Sequence, residues 1–144
     1  MELLYRGTRD GKSCKDFHNK CDNEGPTICL YKSEKGYIFG GYAPISWKSS
    51  GGWQKLNDSF IFTLTNIYDI PTKFPHIEGY NSLKHSSDRG PIFNDFYIYD
   101  NFACQLNFPQ GHKDVLGKGK SIFTGDNNNS SLNIKEIEVF KLFK

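Results

Sequence analysis

The chain has no apolar run near the roughly 20 residues that a membrane-crossing helix needs, and no signal-peptide core at its N-terminus. Those absences set the expectation of a cytoplasmic or nuclear, reducing environment, in which Cys14, Cys21, Cys29 and Cys104 stay thiols. The sequons Asn57-Asp58-Ser59, Asn128-Asn129-Ser130 and Asn129-Ser130-Ser131 stay bare there too. An excess of one charge is also lacking: 18 Lys and Arg against 16 Asp and Glu leave +2. Nucleic-acid binding would need basic residues concentrated on one face. The densest group, His112, Lys113, Lys118 and Lys120, reads as a solvated loop.

Catalytic signatures are missing as well. There is no G-x-S-x-G, and His76, His85 and His112 fall in loop-like or edge segments, so no Ser-His-Asp set assembles from the sequence. Gly117-Lys118-Gly119-Lys120-Ser121 resembles a phosphate-binding loop only in part. The position that needs the first glycine is Asp114, and Ile122-Phe123-Thr124-Gly125 is too short and β-prone to supply the helix that follows. Cys14, His18 and Cys21 share a helical stripe, but Cys14 and Cys21 lie about 10 Å apart along a helix axis. Zn–S bonds of about 2.3 Å cannot span that, and a disulfide cannot either. The expectation is a buried face with inert thiols, no metal, no cofactor and no enzymatic activity; a Cys–His hydrolase built from distant residues is the enzymatic alternative.

What is present is a succession of short elements. Ser13 and Asp16 form a capping-box pattern, and Cys14, Phe17 and Cys21 mark one face of a short helix stopped by Gly25-Pro26. Thr27 to Tyr31, a loop at Ser33 to Gly36, and Tyr37 to Phe39 read as a β-hairpin. Gly40-Gly41 within the return strand signals a bulge or a close backbone approach. Asp58 to Leu64 is the next strand, and the unbroken Phe60-Ile61-Phe62 predicts that both its faces are covered. Asn66 to Tyr80, with Pro71 and Pro75, reads as an irregular connection.

Ser82 to Ser86 and Phe96 to Tyr99 read as strands, and Phe102 to Phe108 alternates most cleanly. Gly111 to Gly119 and Gly125 to Ser131 read as loops, and Ile134 to Phe143 as the last strand, with Glu136 and Glu138 on one face. Many short strands with few helical patterns predict a mainly β (α+β) fold, a two-sheet antiparallel β-sandwich with a few short helices. At 144 residues the chain is one domain by length.

One further place suggests binding. Trp47 and Trp53 flank Ser49-Ser50-Gly51-Gly52, and a tryptophan exposed on a glycine loop can stack on a sugar or anchor a protein partner. The plainer assignment buries Trp47 and leaves only Trp53 partly exposed. Trp53, Gly51, Gly52 and Trp47 are the candidate partner-binding residues.

Four pieces in order resemble the TLDc domain family, in the form found in protists and fungi-like genomes. They are the opening run from Arg9 to Trp53, the strand Asp58-Ser59-Phe60-Ile61-Phe62, the segment Gly90-Pro91-Ile92-Phe93, and the closing Ile134-Lys135-Glu136-Ile137-Glu138-Val139-Phe140. The resemblance makes Phe17, Gly40, Gly41, Phe60, Phe62, Gly90, Pro91, Glu138 and Phe140 family-motif positions, mainly structural. Asn94-Asp95 stand where the family carries a glycine run.

The resemblance implies a two-sheet β-sandwich without a settled enzymatic activity. It also implies links to oxidative-stress resistance and to peripheral subunits of the V-type proton-pumping ATPase. The alternatives are a generic adaptor domain beside a BTB or other scaffold module, and a carbohydrate-binding β-sandwich. The pattern starts almost at Met1, as expected of a domain cut from a longer protein.

Overall fold

A computed structural model describes residues 1–142. Its strands are β1 (Glu2–Arg6), β2 (Thr27–Ser33), β3 (Ile38–Ala43), β4 (Gly52–Gln54), β5 (Phe60–Thr63), β6 (Thr72–Pro75), β7 (Leu83–His85), β8 (Ile92–Phe93), β9 (Phe96–Ile98), β10 (Ala103–Leu106) and β11 (Ser131–Lys141). The helices are short: α1 (Gly7–Asp10), α2 (Cys14–Cys21), α3 (Ser121–Thr124) and a 3-10 turn at Asp100–Phe102. The mainly β composition with few short helices is as the sequence predicts.

The strands do not form two separate sheets. They make one antiparallel sheet in the order β4-β7-β8-β9-β10-β11-β2-β3-β5-β6, with β1 also on β11. The reason is the length of β11. Its first residues, Ser131 to Asn133, pair with β10, whereas Ile134 to Lys141 pair with β2 and the far end accepts β1. A register shift between Ile134 and Glu136 marks the change, as expected where a bulge bends a strand. The sheet curls at this strand, and its two halves face each other.

Aromatic rings fill the space between the halves. Tyr31 stacks on Phe39 at 5.3 Å, and both present edges to Phe96, at 5.1 and 5.3 Å. The Tyr31 hydroxyl donates to the Pro91 carbonyl at 2.6 Å, tying β2 to the opposite half. Buried Trp47 sits edge-on to Phe17 and Phe93, and its indole N–H donates to Thr27 Oγ1 at 2.9 Å. Edge-to-face contacts of this kind add about 0.5–1.5 kcal/mol each beyond area burial.

The capped helix forms where expected. Ser13 Oγ accepts from the Asp16 N–H at 3.0 Å and the Asp16 carboxylate accepts from the Ser13 N–H at 3.2 Å. The β2–β3 hairpin also forms, and its register runs from Thr27↔Ala43 to Lys32↔Ile38 without a slip. Gly40-Gly41 therefore mark close approach rather than a bulge. A Cβ on Gly40 would lie 2.0 Å from the Cys29 carbonyl oxygen, and one on Gly41 would lie 2.4 Å from the Phe93 ring.

Several expectations need correction. The Asn66–Tyr80 segment contains β6, which Pro71 precedes and Pro75 ends, prolines tolerated because it is a terminal strand. Glu2–Arg6, unassigned from sequence, is a strand because β11 offers it a free edge. The alternating Phe102–Phe108 run is a strand only over Ala103–Leu106, since Phe102 adopts a left-handed backbone (φ 62°) and folds onto Gly7. Ser121–Thr124 is a single helical turn, not β. Phe60 and Phe62 are half-buried on the outer face, so only Ile61 enters the core and the strand is not covered on both sides. Phe143, the expected end of the last strand, lies outside the described residues.

Candidate functional site

The expected tryptophan site divides. Trp47 is fully buried, whereas Trp53 is half-exposed on the outer surface of the β4–β10 half. In β4, Gly52 and Gln54 pair with buried His85 and Leu83, so Trp53 and its partner Lys84 point the other way. The Trp53 and Tyr97 rings lie 5.8 Å apart, and Lys84 Nζ stands 5.4 Å from the Trp53 centroid. Gly51 (φ 130°) and Gly52 (φ 69°) make the corner that delivers the chain to β4. An aromatic pair with a cation on a rigid sheet is the composition of a binding hot spot.

The corner is tied to α2. Ser49 Oγ donates to Asp22 at 2.5 Å, and His18 Nδ1 meets the other Asp22 oxygen at 2.7 Å. His18 Nε2 meets the carbonyls of Ser86 and Arg89 at 2.7 and 2.9 Å. His18 is thus a clamp between a helix, a loop and the glycine corner, with its ring nitrogens already engaged. Cys14 and Cys21 share its helix but bring no ligand set: among the described residues there is no metal-holding group of three His, Cys, Asp or Glu.

All four cysteines are free and buried. Burial, with Asp100 adding to it at Cys14, pushes the Cys14 thiol up to about 12; burial pushes Cys29 up to about 12 and also raises Cys21 and Cys104. The thiolate is therefore suppressed at neutral pH. Native protein at pH 8 should react with a maleimide at least about 100-fold more slowly than protein in denaturant, read by mass spectrometry of labelled chains.

A Ser-His-Asp arrangement that the sequence did not reveal does exist. Ser59 Oγ lies 3.1 Å from His112 Nε2, and His112 Nδ1 lies 2.6 Å from Asp95 Oδ1. The Asp95 carboxylate also accepts from the backbone N–H groups of Gln110, Gly111 and His112. With Nδ1–H donating to Asp95, Nε2 accepts from the Ser59 hydroxyl. Ser59 is 2% exposed, and His112 and Asp95 are 0% exposed. The buried triad joins the approach to β5, the β8–β9 turn and the Gly111–Lys113 segment. Its members come from three distant places in the chain and share no local motif. The one available signal was Asp95, a carboxylate where the family carries glycine.

The loop that resembles a phosphate site is occupied by its own aspartate. Asp114 accepts from the N–H groups of Gly117 and Gly119 at 2.9 and 2.8 Å, where a phosphate would need them free.

The remaining motif positions fall on both faces of the sheet. Phe17 is in the core, Gly90 donates to the Ile98 carbonyl, and the Pro91 carbonyl accepts from Tyr31. Glu138 pairs with Arg6 at 2.7 Å, on the outer face of β11. That face holds a feature the sequence reading missed. Across β11, β2, β3, β5 and β6, outward residues align as Phe140–Ile28–Tyr42–Phe60–Pro75, and beside it as Glu138–Leu30–Gly40–Phe62–Lys73. Beside these rows Glu136 accepts from the Thr8 N–H of α1, and a cleft of about 220 Å³ bordered by Leu30, Lys32, Ile38, Glu136 and Glu138 opens on the face.

With this geometry established, comparison with known proteins is informative. The TLDc domain model matches residues 1–143. The chain belongs to the TLDc family. Among curated proteins it is similar to the MTOR-associated protein MEAK7 of Danio rerio, 29% identical over 117 residues, covering 81% of this chain and 21% of that protein. The MEAK7 of Xenopus laevis is 26% identical over 113 residues, covering 76% of this chain and 25% of that protein. That of Homo sapiens is 22% identical over 113 residues, with the same coverage of 76% and 25%. The TLDc domain thus spans about a quarter or less of the length of these relatives.

Proposed function

We propose that this TLDc domain is a non-catalytic protein-interaction module of the cytoplasm that binds peripheral subunits of the V-type proton-pumping ATPase and contributes to oxidative-stress protection. The observation that carries the reading is the Trp53–Tyr97–Lys84 cluster: a tryptophan fixed on a sheet, partly exposed, with a cation over its ring. Membership of the TLDc family supports the choice of the ATPase as partner. Similarity to proteins named for association with mTOR supports a role in assembly rather than turnover of a substrate. The enclosed position of Ser59 weighs in the same direction.

The test is co-sedimentation of the purified domain with V-type ATPase peripheral subunits, together with an assay of holoenzyme assembly. Binding is expected, and Trp53→Ala should weaken it by at least about 30-fold, the loss typical of a hot-spot aromatic, while circular dichroism and melting stay close to those of the parent. A domain that neither co-sediments nor alters assembly removes the ATPase from the proposal.

A further inference from the structure

We propose that the outer face of the β11–β2–β3–β5–β6 half is a self-association surface whose occupant is a second copy of this chain. The face is apolar where a solvated antiparallel sheet is normally polar. Ile28, Leu30, Tyr42, Phe60, Phe62 and Phe140 all point outward and are only half-buried, by one another. Tyr42 lies 5.2 Å from Phe60, and Phe60 lies 6.1 Å from Phe62, so the patch is continuous. Contiguous exposed apolar patches mark interaction sites.

The charges at its margins identify the occupant. The central row begins with an acid, Glu138 on β11, passes through Leu30, Gly40 and Phe62, and ends with a base, Lys73 on β6. A two-fold axis lying in the interface along β3 reverses that order in the second copy. Glu138 then meets Lys73 of the second copy, and Lys73 meets its Glu138. Leu30 falls over Phe62, Ile28 over Phe60 and Phe140 over Pro75, with Gly40, covered by its own chain's Phe62 ring, at the axis. An isologous contact must be complementary to itself in this way, and two sheets packed face to face are a stable arrangement. Neither charge is held by a buried partner. Lys73 Nζ rests 4.3 Å from the Phe60 centroid, and Glu138 shares a partly exposed pair with Arg6.

Five strands at about 4.8 Å spacing span about 19 Å, which suits a modest interface and a micromolar dimer rather than an obligate one. The surface is on the other outer side from Trp53, so it does not depend on the ATPase reading.

Sedimentation equilibrium of the chain, from low to high micromolar, is the test. A monomer–dimer equilibrium is expected. Lys73→Glu and Glu138→Lys should each weaken it at least about tenfold, and an equimolar mixture of the two variants should restore it, because both cross-pairs are again opposite in sign. Leu30→Glu, which sets a second carboxylate beside Glu138 within the apolar row, should abolish the dimer, whereas Trp53→Ala should leave it unchanged. A chain that is monomeric throughout overturns the proposal, as does a dimer indifferent to Lys73→Glu and Leu30→Glu. A monomer in which Leu30→Glu abolishes co-sedimentation with the ATPase subunits also overturns it, and assigns the face to that partner.

Discussion

Replacing Asp95 with alanine will lower the midpoint of thermal unfolding by roughly 10 °C, corresponding to a loss of about 3–5 kcal/mol. The carboxylate is fully buried and receives His112 Nδ1–H together with N–H groups of Gln110, Gly111 and His112. Alanine leaves the Gly111 and His112 donors without a partner in a place water does not reach, and each unpaired buried donor costs about 1–3 kcal/mol. Ser59→Ala removes only the last link of the chain, a neutral hydroxyl 3.1 Å from His112 Nε2, and should cost about 1 kcal/mol. The ratio between the two variants is the point of the experiment. A staple is anchored at the aspartate and loses little at the serine. Equal losses, measured by calorimetry or denaturant titration, would refute that account of the cluster.

The second large effect is expected at Gly40. Gly40→Val should cost about 3 kcal/mol or more, at or beyond the upper end for an overpacked core, and should reduce soluble yield. The added Cβ would sit 2.0 Å from the Cys29 carbonyl oxygen and 2.7 Å from the Phe62 ring. A ring can turn aside, but the carbonyl belongs to the β2–β3 ladder and moves only if the hairpin moves. Gly25→Ala is the contrast. Its φ of 80° is left-handed, yet nothing lies within 4 Å of a Cβ there, so only about 1 kcal/mol of backbone strain is expected. Urea titrations of the two variants separate a steric cause from a conformational one.

What could be read from the sequence was what is local. Ser13 and Asp16 announce the start of α2 because a capping box is complete within four residues. The β2–β3 hairpin is similarly self-contained, with strand propensity on both sides of Ser33-Glu34-Lys35-Gly36. The glycine pair gave a correct signal of crowding, but the identity of the crowding groups, Cys29 and Phe93, required the fold. β1 was invisible because Glu2–Arg6 is a strand only by virtue of the edge that β11 presents, some 130 residues later.

The candidate sites divide the same way. Trp53 was legible as a half-exposed aromatic because the glycines beside it confine it to a corner. Its neighbours Tyr97 and Lys84 were not, since they reach it through strand pairing. Phe60-Ile61-Phe62 illustrates how a sound rule can give the wrong answer. An unbroken apolar strand normally has cover on both sides, and here the second side is open, which is what turns a misreading of the core into an interaction surface.

The strand that belongs to both halves of the sheet is also the last of the described strands to be synthesised. During synthesis β2 and β10 are already made but have no common neighbour, so neither half can close until Ser131–Lys141 arrives between them. Folding of this domain therefore waits for nearly the whole chain, proceeds through pairings between distant segments, and is slow for its size. Until that moment Tyr31, Phe39 and Phe96 stand open to other nascent chains. A premature stop before β11 removes the hinge, the shared edge and the closing contact together, and leaves two half-sheets with no strand to join them.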